Sequence, residues 1–409
     1  MKTKSDFKKI IFSSLGAGVE YYDFAIYMVL ATAIGSKFFS SDSQLSNTLM
    51  VFSVYAAGYL LRPLSAVIFG YIGDKYSRVV VLRATMLIIF LSTLSLALLP
   101  SVESIGVSAT MLFVILRSIQ SLAIGAEIPI AVTYSTENFK HRQGLVTGII
   151  FACLSLGILL TSFIYFVMSE YTSKEFLNDY GWRVAFLIGA IITFCIYLFR
   201  KSITESEEFI SNKGVDKETS MNFCKKIVVG IMLVAGVAML VTQFYMFLPS
   251  YCTEFMKDTN VEVSSMLLIG SIVMTPACLL GGFISDYVSK RKMMGIILVI
   301  LLALVPLFYK SMVEGRDVIY IFMTISLLMG LLAPTYNVII KDFFSPSYRC
   351  RGLAVSYNFG YLIFSTPMPI VTILLIQKYS NIYAPSYMVI IAILVSLIGL
   401  VLSRNLGSK

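Results

Sequence analysis

One pattern occurs twice in this chain, as Gly70-Tyr-Ile-Gly-Asp-Lys-Tyr-Ser-Arg78 and as Gly282-Phe-Ile-Ser-Asp-Tyr-Val-Ser-Lys290. Each copy has a glycine, an aspartate four residues later, a serine three residues after that, and then a cation. The two copies lie 212 residues apart, which is about half of the 409-residue chain. A motif that recurs at half the chain length indicates a duplicated unit. We therefore expect two similar halves.

Long apolar runs surround both copies. Apolar residues make up 57% of the chain, charged residues 13%, and the mean hydropathy is +0.84, whereas soluble domains carry about 25% charged residues. A soluble fold cannot bury that much apolar surface, so a cytosolic enzyme and a disordered chain are both excluded. A membrane helix needs roughly 20 apolar residues. We predict twelve spans, at 10–38, 48–72, 79–100, 105–136, 142–168, 180–200, 223–253, 263–285, 293–310, 317–341, 350–377 and 382–403.

The loops between these spans carry an uneven charge. Of the 32 lysines and arginines, 23 lie on the side of the two chain termini and 6 on the opposite side. Lysine and arginine favour cytoplasmic loops, so we expect both termini in the cytoplasm. The longest loop, KSITESEEFISNKGVDKETSMN at 201–222, is polar. It predicts a linker between two six-helix bundles, 1–200 and 223–409.

Several functions are excluded by what the sequence lacks. His141 is the one histidine, and the six cysteines are scattered without a Cys-x-x-Cys pair, which argues against a metal site or a histidine-based catalytic triad. Membrane orientation explains the net charge of +9 better than nucleic-acid binding does. We expect no enzyme activity, no metal, no cofactor and no nucleic acid. The expected partners are a small-molecule substrate and the lipid bilayer, with the monomer as the functional unit.

Five charged residues lie well inside the predicted spans, away from their ends, and all are in the first half: Glu20, Asp23, Arg62, Arg117 and Glu127. Charge within a bilayer costs on the order of 2.5–3.5 kcal/mol on insertion scales, so such residues indicate function. Glu20 and Asp23 are three residues apart and share a helix face. Ionising two neighbouring carboxylates in a site without water costs free energy, so one of them tends to stay protonated. We predict that Glu20, Asp23 or Glu127 carries a coupled proton; the alternative is a fixed network of ion pairs.

The two arginines leave two interpretations open. A guanidinium fork suits a carboxylate, so Arg117 binds either a substrate carboxylate or Glu127, and Arg62 is weighed in the same way. Gln120 shares the broad face of the fourth span with Arg117 and Glu127. In the second half, polar and aromatic groups replace charge. Together these side chains are the predicted substrate site: Arg62, Arg117, Gln120, Gln243, Tyr245, Tyr336, Asn337, Tyr357 and Asn358.

The repeated motif predicts a different role. Its charged members can pair with each other, with helix ends, or with Glu137 at the foot of the fourth span, and such contacts would hold the halves together on the cytoplasmic side. The residues assigned to this gate are Gly70, Asp74, Arg78, Glu137, Asp286 and Lys290. Ordinary surface charge is the alternative.

The motif also resembles a known family. Gly70–Arg78, with Arg83 beyond it, looks like the loop signature of the major facilitator superfamily. Further stretches resemble its metabolite:proton symporter family, which includes proline/betaine, citrate, 2-oxoglutarate and shikimate permeases. These stretches are Val19–Tyr27, Leu61–Pro63, Arg117–Gln120, Ile124–Glu127, Gly181–Arg183, Pro249–Tyr251 and Tyr357–Asn358. Serines at 77 and 289 replace the usual glycine of the signature, and Ala126 replaces the second glycine of a Gly-Gly-Glu.

The resemblance implies an all-α membrane protein of twelve helices in two six-helix bundles, working by alternating access. It implies proton-coupled uptake of a small polar organic solute, a carboxylate or a zwitterion, with the proton as coupling ion. One alternative is a proton-driven antiporter that exports a drug or a secreted metabolite such as a carboxylate siderophore. Another is a membrane sensor, although no loop is long enough for a signalling domain.

Overall fold

The computed structural model of the chain describes residues 4–39, 43–125, 127–201, 220–256, 262–345 and 348–406. Nearly all of them are helical, and the long helical segments follow the predicted spans closely. Their bounds are α1 (Lys4–Val29, continued by Ala31–Phe38), α2 (Gln44–Lys75), α3 (Arg78–Leu98), α4 (Val107–Ile124 and Glu127–Asn138), α5 (Gln143–Tyr171), α6 (Trp182–Arg200), α7 (Ser220–Val241, Thr242–Phe247 and Leu248–Phe255), α8 (Val263–Tyr287), α9 (Lys290–Val313), α10 (Ile319–Lys341), α11 (Arg349–Gly360, Tyr361–Ser365 and Met368–Tyr379) and α12 (Ala384–Leu402).

Within the described residues, eleven helices are long and apolar enough to cross a membrane. They correspond to α2 to α12. Helix α1 is long enough but less apolar, because Glu20, Asp23 and three tyrosines lie in its central part. From Ile10 onward it is nevertheless mostly buried by the other helices, so protein rather than lipid surrounds Glu20 and Asp23.

The packing of the helices repeats with a period of six. Helix α1 contacts α5 and α6 as α7 contacts α11 and α12, and α3 contacts α6 as α9 contacts α12. The pairs α2–α4 and α8–α10 correspond in the same way. This arrangement confirms the duplication that the sequence motif predicts, and it gives two six-helix bundles. The predicted linker falls mostly at 202–219, which lies outside the described residues.

Both repeated motifs begin inside a helix and end at the start of the next one. Gly70 lies inside α2, and Gly282 lies inside α8. Only Tyr76 and Ser77 separate α2 from α3. Ser77 stands where the family signature has glycine, and its hydroxyl accepts a hydrogen bond from the Val80 N–H over 3.1 Å, which caps the start of α3.

The two bundles meet mainly along α5 and α8. Small residues allow this approach: a Cβ on Gly282 would lie 2.6 Å from the Gly144 carbonyl oxygen and 2.7 Å from the Gly148 Cα. Hydroxyl pairs continue the contact, Ser155 with Thr275 at 2.9 Å and Ser162 with Ser271 at 3.1 Å. The bundles are therefore closed against each other on the side of the chain termini.

On the opposite side the bundles separate around an open cavity of about 760 Å³. The ends of α1, α5 and α7 and the start of α2 form its wall. Hydroxyl and amide groups are frequent there, among them Ser36, Asn47, Ser250 and Thr253. We call this cavity the vestibule.

Candidate functional site

Glu20 of α1 and Arg62 of α2 form a buried ion pair. Their closest atoms, Arg62 Nη2 and Glu20 Oε1, are 3.3 Å apart, and both side chains are 1% exposed. The other carboxylate oxygen and Arg62 Nε have no hydrogen-bond partner among the described residues. The two side chains share one contact of 3.3 Å, which is longer than a usual charge-assisted hydrogen bond and is not bidentate. The ion pair is therefore weaker than a pair with optimal geometry.

Asp23 of α1 and Arg117 of α4 form a second buried pair with tighter geometry. Arg117 Nη1 donates to Asp23 Oδ2 over 2.8 Å and to Gln120 Oε1 over 2.6 Å. Gln120 in turn donates to the Thr93 hydroxyl over 2.8 Å, so both ends of its amide are used. This network ties α1, α3 and α4 together.

Glu127 forms a third pair, and its partner is Arg200 rather than Arg117. The expectation of an Arg117–Glu127 pair is wrong because ten residues of α-helix span about 15 Å and α4 is interrupted between the two. Arg200 also donates to the carbonyl oxygens of Leu82 and Ser13, at 2.8 and 3.1 Å. Thr85 donates to Glu127 Oε2 over 2.9 Å. Neither charged side chain is exposed.

A cluster of tyrosines lies beside the Glu20–Arg62 pair, at the boundary between the bundles. Tyr21 of α1 meets two tyrosines of α11: its hydroxyl is 2.5 Å from that of Tyr361 and 3.2 Å from that of Tyr357. Tyr59 of α2 stacks on Tyr361 with ring centroids 6.3 Å apart, and it packs at an interplanar angle of 53° against Tyr55, with centroids 4.8 Å apart. We call these five residues the tyrosine cluster.

Arg62 joins the charged pair to this cluster. Its guanidinium carbon lies 3.9 Å from the ring centroid of Tyr59 and 4.1 Å from that of Phe24. Cations are attracted to aromatic faces at such distances. Arg117 makes a similar contact with the ring of Tyr27, at 4.0 Å. Aromatic faces thus already hold cations in the middle of this protein.

The second-half residues that the sequence singles out are all buried, but they are dispersed. Gln243 contacts the hydroxyl of Tyr309, and the Tyr245 hydroxyl donates to Ser326 over 2.6 Å. These contacts are internal to the second bundle. Tyr336 of α10 packs edge-on against Phe151 of α5, with centroids 5.7 Å apart.

The remaining second-half residues lie closer to the first bundle. Tyr357 belongs to the tyrosine cluster, and Asn337 is fully buried next to Tyr336. The Asn358 amide donates to the Gly125 carbonyl oxygen in α4 over 2.7 Å. Asn358 therefore contacts the other bundle directly.

Three of the residues assigned to the gate, Gly70, Arg78 and Glu137, lie near α11 on the side of the termini. Arg78 forms an ion pair with Glu137, and Arg349 of α11 lies 3.6 Å from the same carboxylate. Gly70 packs near Arg351, since a Cβ there would lie 3.5 Å from the Arg351 Cγ. This group joins α2, α3 and α4 to α11.

The second copy of the motif makes the corresponding contact with α5. Asp286 accepts hydrogen bonds from the backbone N–H groups of Gly144 and Leu145, at 2.7 and 3.0 Å. Its carboxylate therefore caps the N-terminus of a helix in the other bundle, where negative charge is favoured. Lys290 begins α9, and the side chain of Asp74 lies outside what the structure describes.

Sequence reasoning missed Arg200 and most of the tyrosine cluster. Arg200 ends the sixth predicted span, 180–200, and the sequence analysis did not single it out, although it is fully buried. Tyr55, Tyr59 and Tyr361 looked like ordinary membrane aromatics. Their spacing gave a signal, because Tyr55 and Tyr59 lie one helical turn apart, as do Tyr357 and Tyr361.

Comparison with known proteins decides the family. The Major Facilitator Superfamily matches residues 13–366 of the chain. A putative proline/betaine transporter of Staphylococcus aureus (strain MSSA476) is 30% identical over 401 residues, covering 93% of this chain and 84% of that protein. The chain belongs to the Major Facilitator Superfamily. As a member of this superfamily it is a membrane transporter and not an enzyme.

Other superfamily members are more distant. A citrate-proton symporter of Klebsiella pneumoniae is 26% identical over 387 residues, covering 91% of this chain and 86% of that protein. Among solved structures, a proton:xylose symporter bound to a bromodeoxyglucose superposes with a TM-score of 0.78 at 14% identity, covering 98% of this chain and 95% of that one. That likeness shows the major facilitator fold.

Proposed function

We propose that this transporter takes up a small solute with a single carboxylate together with a proton, across the cytoplasmic membrane of a bacterium. The observation that carries this proposal is the Glu20–Arg62 pair, which is loosely made and lies against the tyrosine cluster between the bundles. Glu20 is the proposed proton carrier, and Arg62 is the proposed carboxylate anchor.

The geometry favours this pair over the two others. Arg117 makes two short hydrogen bonds and Arg200 makes several, so a substrate would have to break a complete network to reach either of them. Arg62 gives up one 3.3 Å contact. The Asp23–Arg117 and Glu127–Arg200 pairs then hold α1, α3, α4 and α6 in place around the site.

Charge balance provides the coupling. Glu20, Asp23 and Glu127 match Arg62, Arg117 and Arg200 in number, so this buried interior is neutral when all six are ionised. An incoming carboxylate group would compete with Glu20 for Arg62 and leave one of the two carboxylates unpaired, which is costly in a dry medium. A proton on Glu20 removes this competition, so that Arg62 can pair with the carboxylate group of the substrate. Proton and substrate thus bind favourably only together.

The tyrosine cluster suggests what the rest of the solute is. A quaternary or secondary ammonium group is attracted to aromatic faces, and the tyrosine cluster reaches Arg62 through the ring of Tyr59. A zwitterion such as proline or a betaine has both ends, and the 30% identical relative is named for these solutes. Citrate, for which the 26% identical relative is named, has three carboxylates and fits one loosely held arginine less well.

The direction of uptake and the placement in the membrane belong to the same proposal. The excess of lysine and arginine on the side of the termini favours a cytoplasmic position for that side, so the vestibule would face outwards. Alternating access would close the vestibule and open the contacts among α4, α5, α8 and α11. The proposed units are the two bundles, 1–200 and 223–409, joined by the linker 201–222 and acting within a monomer.

Purified protein in liposomes tests this function. We would measure uptake of labelled proline, trimethylglycine, citrate and a monocarboxylate without an ammonium group, each with and without an inward proton gradient. The expected result is uptake of a zwitterion that the gradient stimulates. Uptake driven only by an outward gradient would favour the antiporter. Stimulated uptake of citrate alone would contradict the single-carboxylate site.

A further inference from the structure

The first segment of α4 ends at Ile124, and Gly125 is a turn residue. The sequence explains why the helix ends there. In a continuous helix the Gly125 carbonyl would accept a hydrogen bond from the N–H four residues later. That residue is Pro129, which has no N–H and whose ring clashes with the same carbonyl. The Gly125 carbonyl therefore lacks its helical donor at a depth where no water replaces it. Such an unmet group is costly inside a membrane.

Asn358 supplies the missing donor from the other bundle. Its Nδ2 lies 2.7 Å from the Gly125 oxygen and 2.8 Å from the Ala354 oxygen of its own helix. The side chain is fully buried. Its Oδ1 has no hydrogen-bond partner among the described residues, so the amide is held by its donor end. The bond thus completes the backbone of α4 with a side chain of α11.

The turn that Asn358 contacts lies between two of the buried ion pairs. A Cβ on Gly125 would lie 2.9 Å from the Arg62 carbonyl oxygen, so the turn packs directly on the α2 backbone at Arg62. Two residues further along the chain is Glu127. On its own helix, Asn358 follows Tyr357 of the tyrosine cluster. The Asn358–Gly125 hydrogen bond therefore links α11, next to the tyrosine cluster, to the turn at Gly125. This turn packs against Arg62 and lies two residues before Glu127.

We propose that Asn358 is a positioning residue that holds the terminus-side gate closed by satisfying the carbonyl that Pro129 leaves unpaired. Separation of the bundles on that side breaks the bond and exposes the Gly125 carbonyl to the water that enters. The closed state gains the bond, and the open state gains hydration, so the two states stay close in free energy. This inference rests on the proposed transport cycle only in requiring that the bundles separate there.

Cysteine labelling measures the two states without any substrate. Ser250 lines the vestibule and Ser285 is buried at the α5–α8 contact, so Ser250→Cys and Ser285→Cys report on opposite sides. Both are introduced separately into full-length protein whose native cysteines are replaced, and labelling by a water-soluble maleimide is timed. Loss of a buried hydrogen bond of roughly 1.4 kcal/mol changes a population about tenfold. In Asn358→Ala we expect labelling at 285 to rise about tenfold and labelling at 250 to fall.

Pro129→Ala provides the matched variant, because alanine restores the N–H that pairs with Gly125 inside α4. The Asn358 bond is then redundant, so Asn358→Ala should have a much smaller effect in the Pro129→Ala background. This second variant also keeps the test decisive if Asn358→Ala does not fold. Pro129→Ala alone should then shift labelling in the same direction as predicted for Asn358→Ala.

Three results would overturn the proposal. Unchanged labelling in both variants would mean that the bond does not bias the gate. A rise at both reporters would mean general loosening of the protein. A normal labelling pattern with a raised KM would assign Asn358 to substrate contact instead. Because labelling needs neither substrate nor proton gradient, the two labelling results do not depend on whether the proposed symport is correct.

Discussion

Arg200 and Glu127 form an ion pair in which neither side chain is exposed to solvent, between the end of α6 and the second segment of α4. The pair also joins α1 and α3, because Arg200 donates to the carbonyl oxygens of Ser13 and Leu82. Removing one partner of a buried pair leaves the other charge uncompensated, which costs about 3–5 kcal/mol. The pair is therefore a structural centre of the first bundle.

Arg200→Gln should lower the free energy of unfolding in detergent by about 3–5 kcal/mol. Removing both charges, as in Glu127→Leu with Arg200→Leu, should recover much of that loss. The control is Lys310→Gln, because Lys310 and Glu314 form an exposed pair at 3.9 Å whose loss costs less than about 0.5 kcal/mol. Equal destabilisation by the test and control variants would contradict the assignment.

Glu20→Gln should abolish the stimulation of uptake by an inward proton gradient while leaving substrate exchange between the two sides intact. A neutral side chain at this position mimics the protonated carrier and leaves Arg62 permanently free. Exchange of labelled for unlabelled zwitterion in liposomes, with and without a gradient, measures both. Asp23→Asn is the comparison: it breaks the tighter pair and should impair exchange and accumulation alike. The reverse pattern would move the proton to Asp23.

Tyr361→Leu should raise the KM for a zwitterion about tenfold, because a cation–π contact is worth roughly 0.5–2 kcal/mol. Tyr361→Phe keeps the aromatic face and loses only the hydroxyl that meets Tyr21, so its KM should change much less. The measurement is concentration-dependent uptake of trimethylglycine. If Phe and Leu variants behave identically, the hydroxyl rather than the ring face is what binding requires.

Gly282→Ala should block closure on the side of the termini. The added Cβ would lie 2.6 Å from the Gly144 carbonyl oxygen, which is backbone and yields only if α5 and α8 move apart. Overpacking of this kind costs about 1–3 kcal/mol, so uptake should fall about tenfold or more. Gly73→Ala is the control, because its nearest neighbour would be 3.5 Å away. Normal uptake by Gly282→Ala would show that this contact tolerates separation.

Asp286→Asn should weaken the same closed state. The substitution keeps a hydrogen-bond acceptor at the cap but removes the negative charge at the N-terminus of α5, which is worth about 0.3–1 kcal/mol. Maleimide labelling at the Ser285→Cys position should therefore increase several-fold. Asp317→Asn makes the matched change within one bundle, where Asp317 caps the Ile319 N–H at 2.9 Å, and should leave labelling unchanged. A similar increase in both variants would contradict a role in the gate.

The helices could be predicted well because hydropathy alone defines them. The predicted span 263–285 corresponds to Val263–Tyr287, and the predicted span 317–341 to Ile319–Lys341. The repeated motif also predicted the duplication that the helix contacts show. Each of these features depends on residues close together in the chain, or on a pattern visible twice.

The partners of the charges could not be predicted in this way. The sequence shows that Glu20, Asp23 and Glu127 must be compensated, but each finds its arginine on another helix. The choice depends on which helices pack and at what depth. Arg200 was not singled out from the sequence because it ends a predicted span, and a cation at that position usually reaches water. Here α1, α3 and α4 cover it completely.

The sequence by itself determined that this chain spans a membrane with two related six-helix bundles and carries compensated charge in its first half, because apolar length and internal repetition are local properties. Only the tertiary structure decided that Glu20 meets Arg62 loosely beside five tyrosines, and that Asn358 completes the backbone of α4. Those relationships join residues more than 40 positions apart, and only the packing of whole helices against one another brings them within bonding distance.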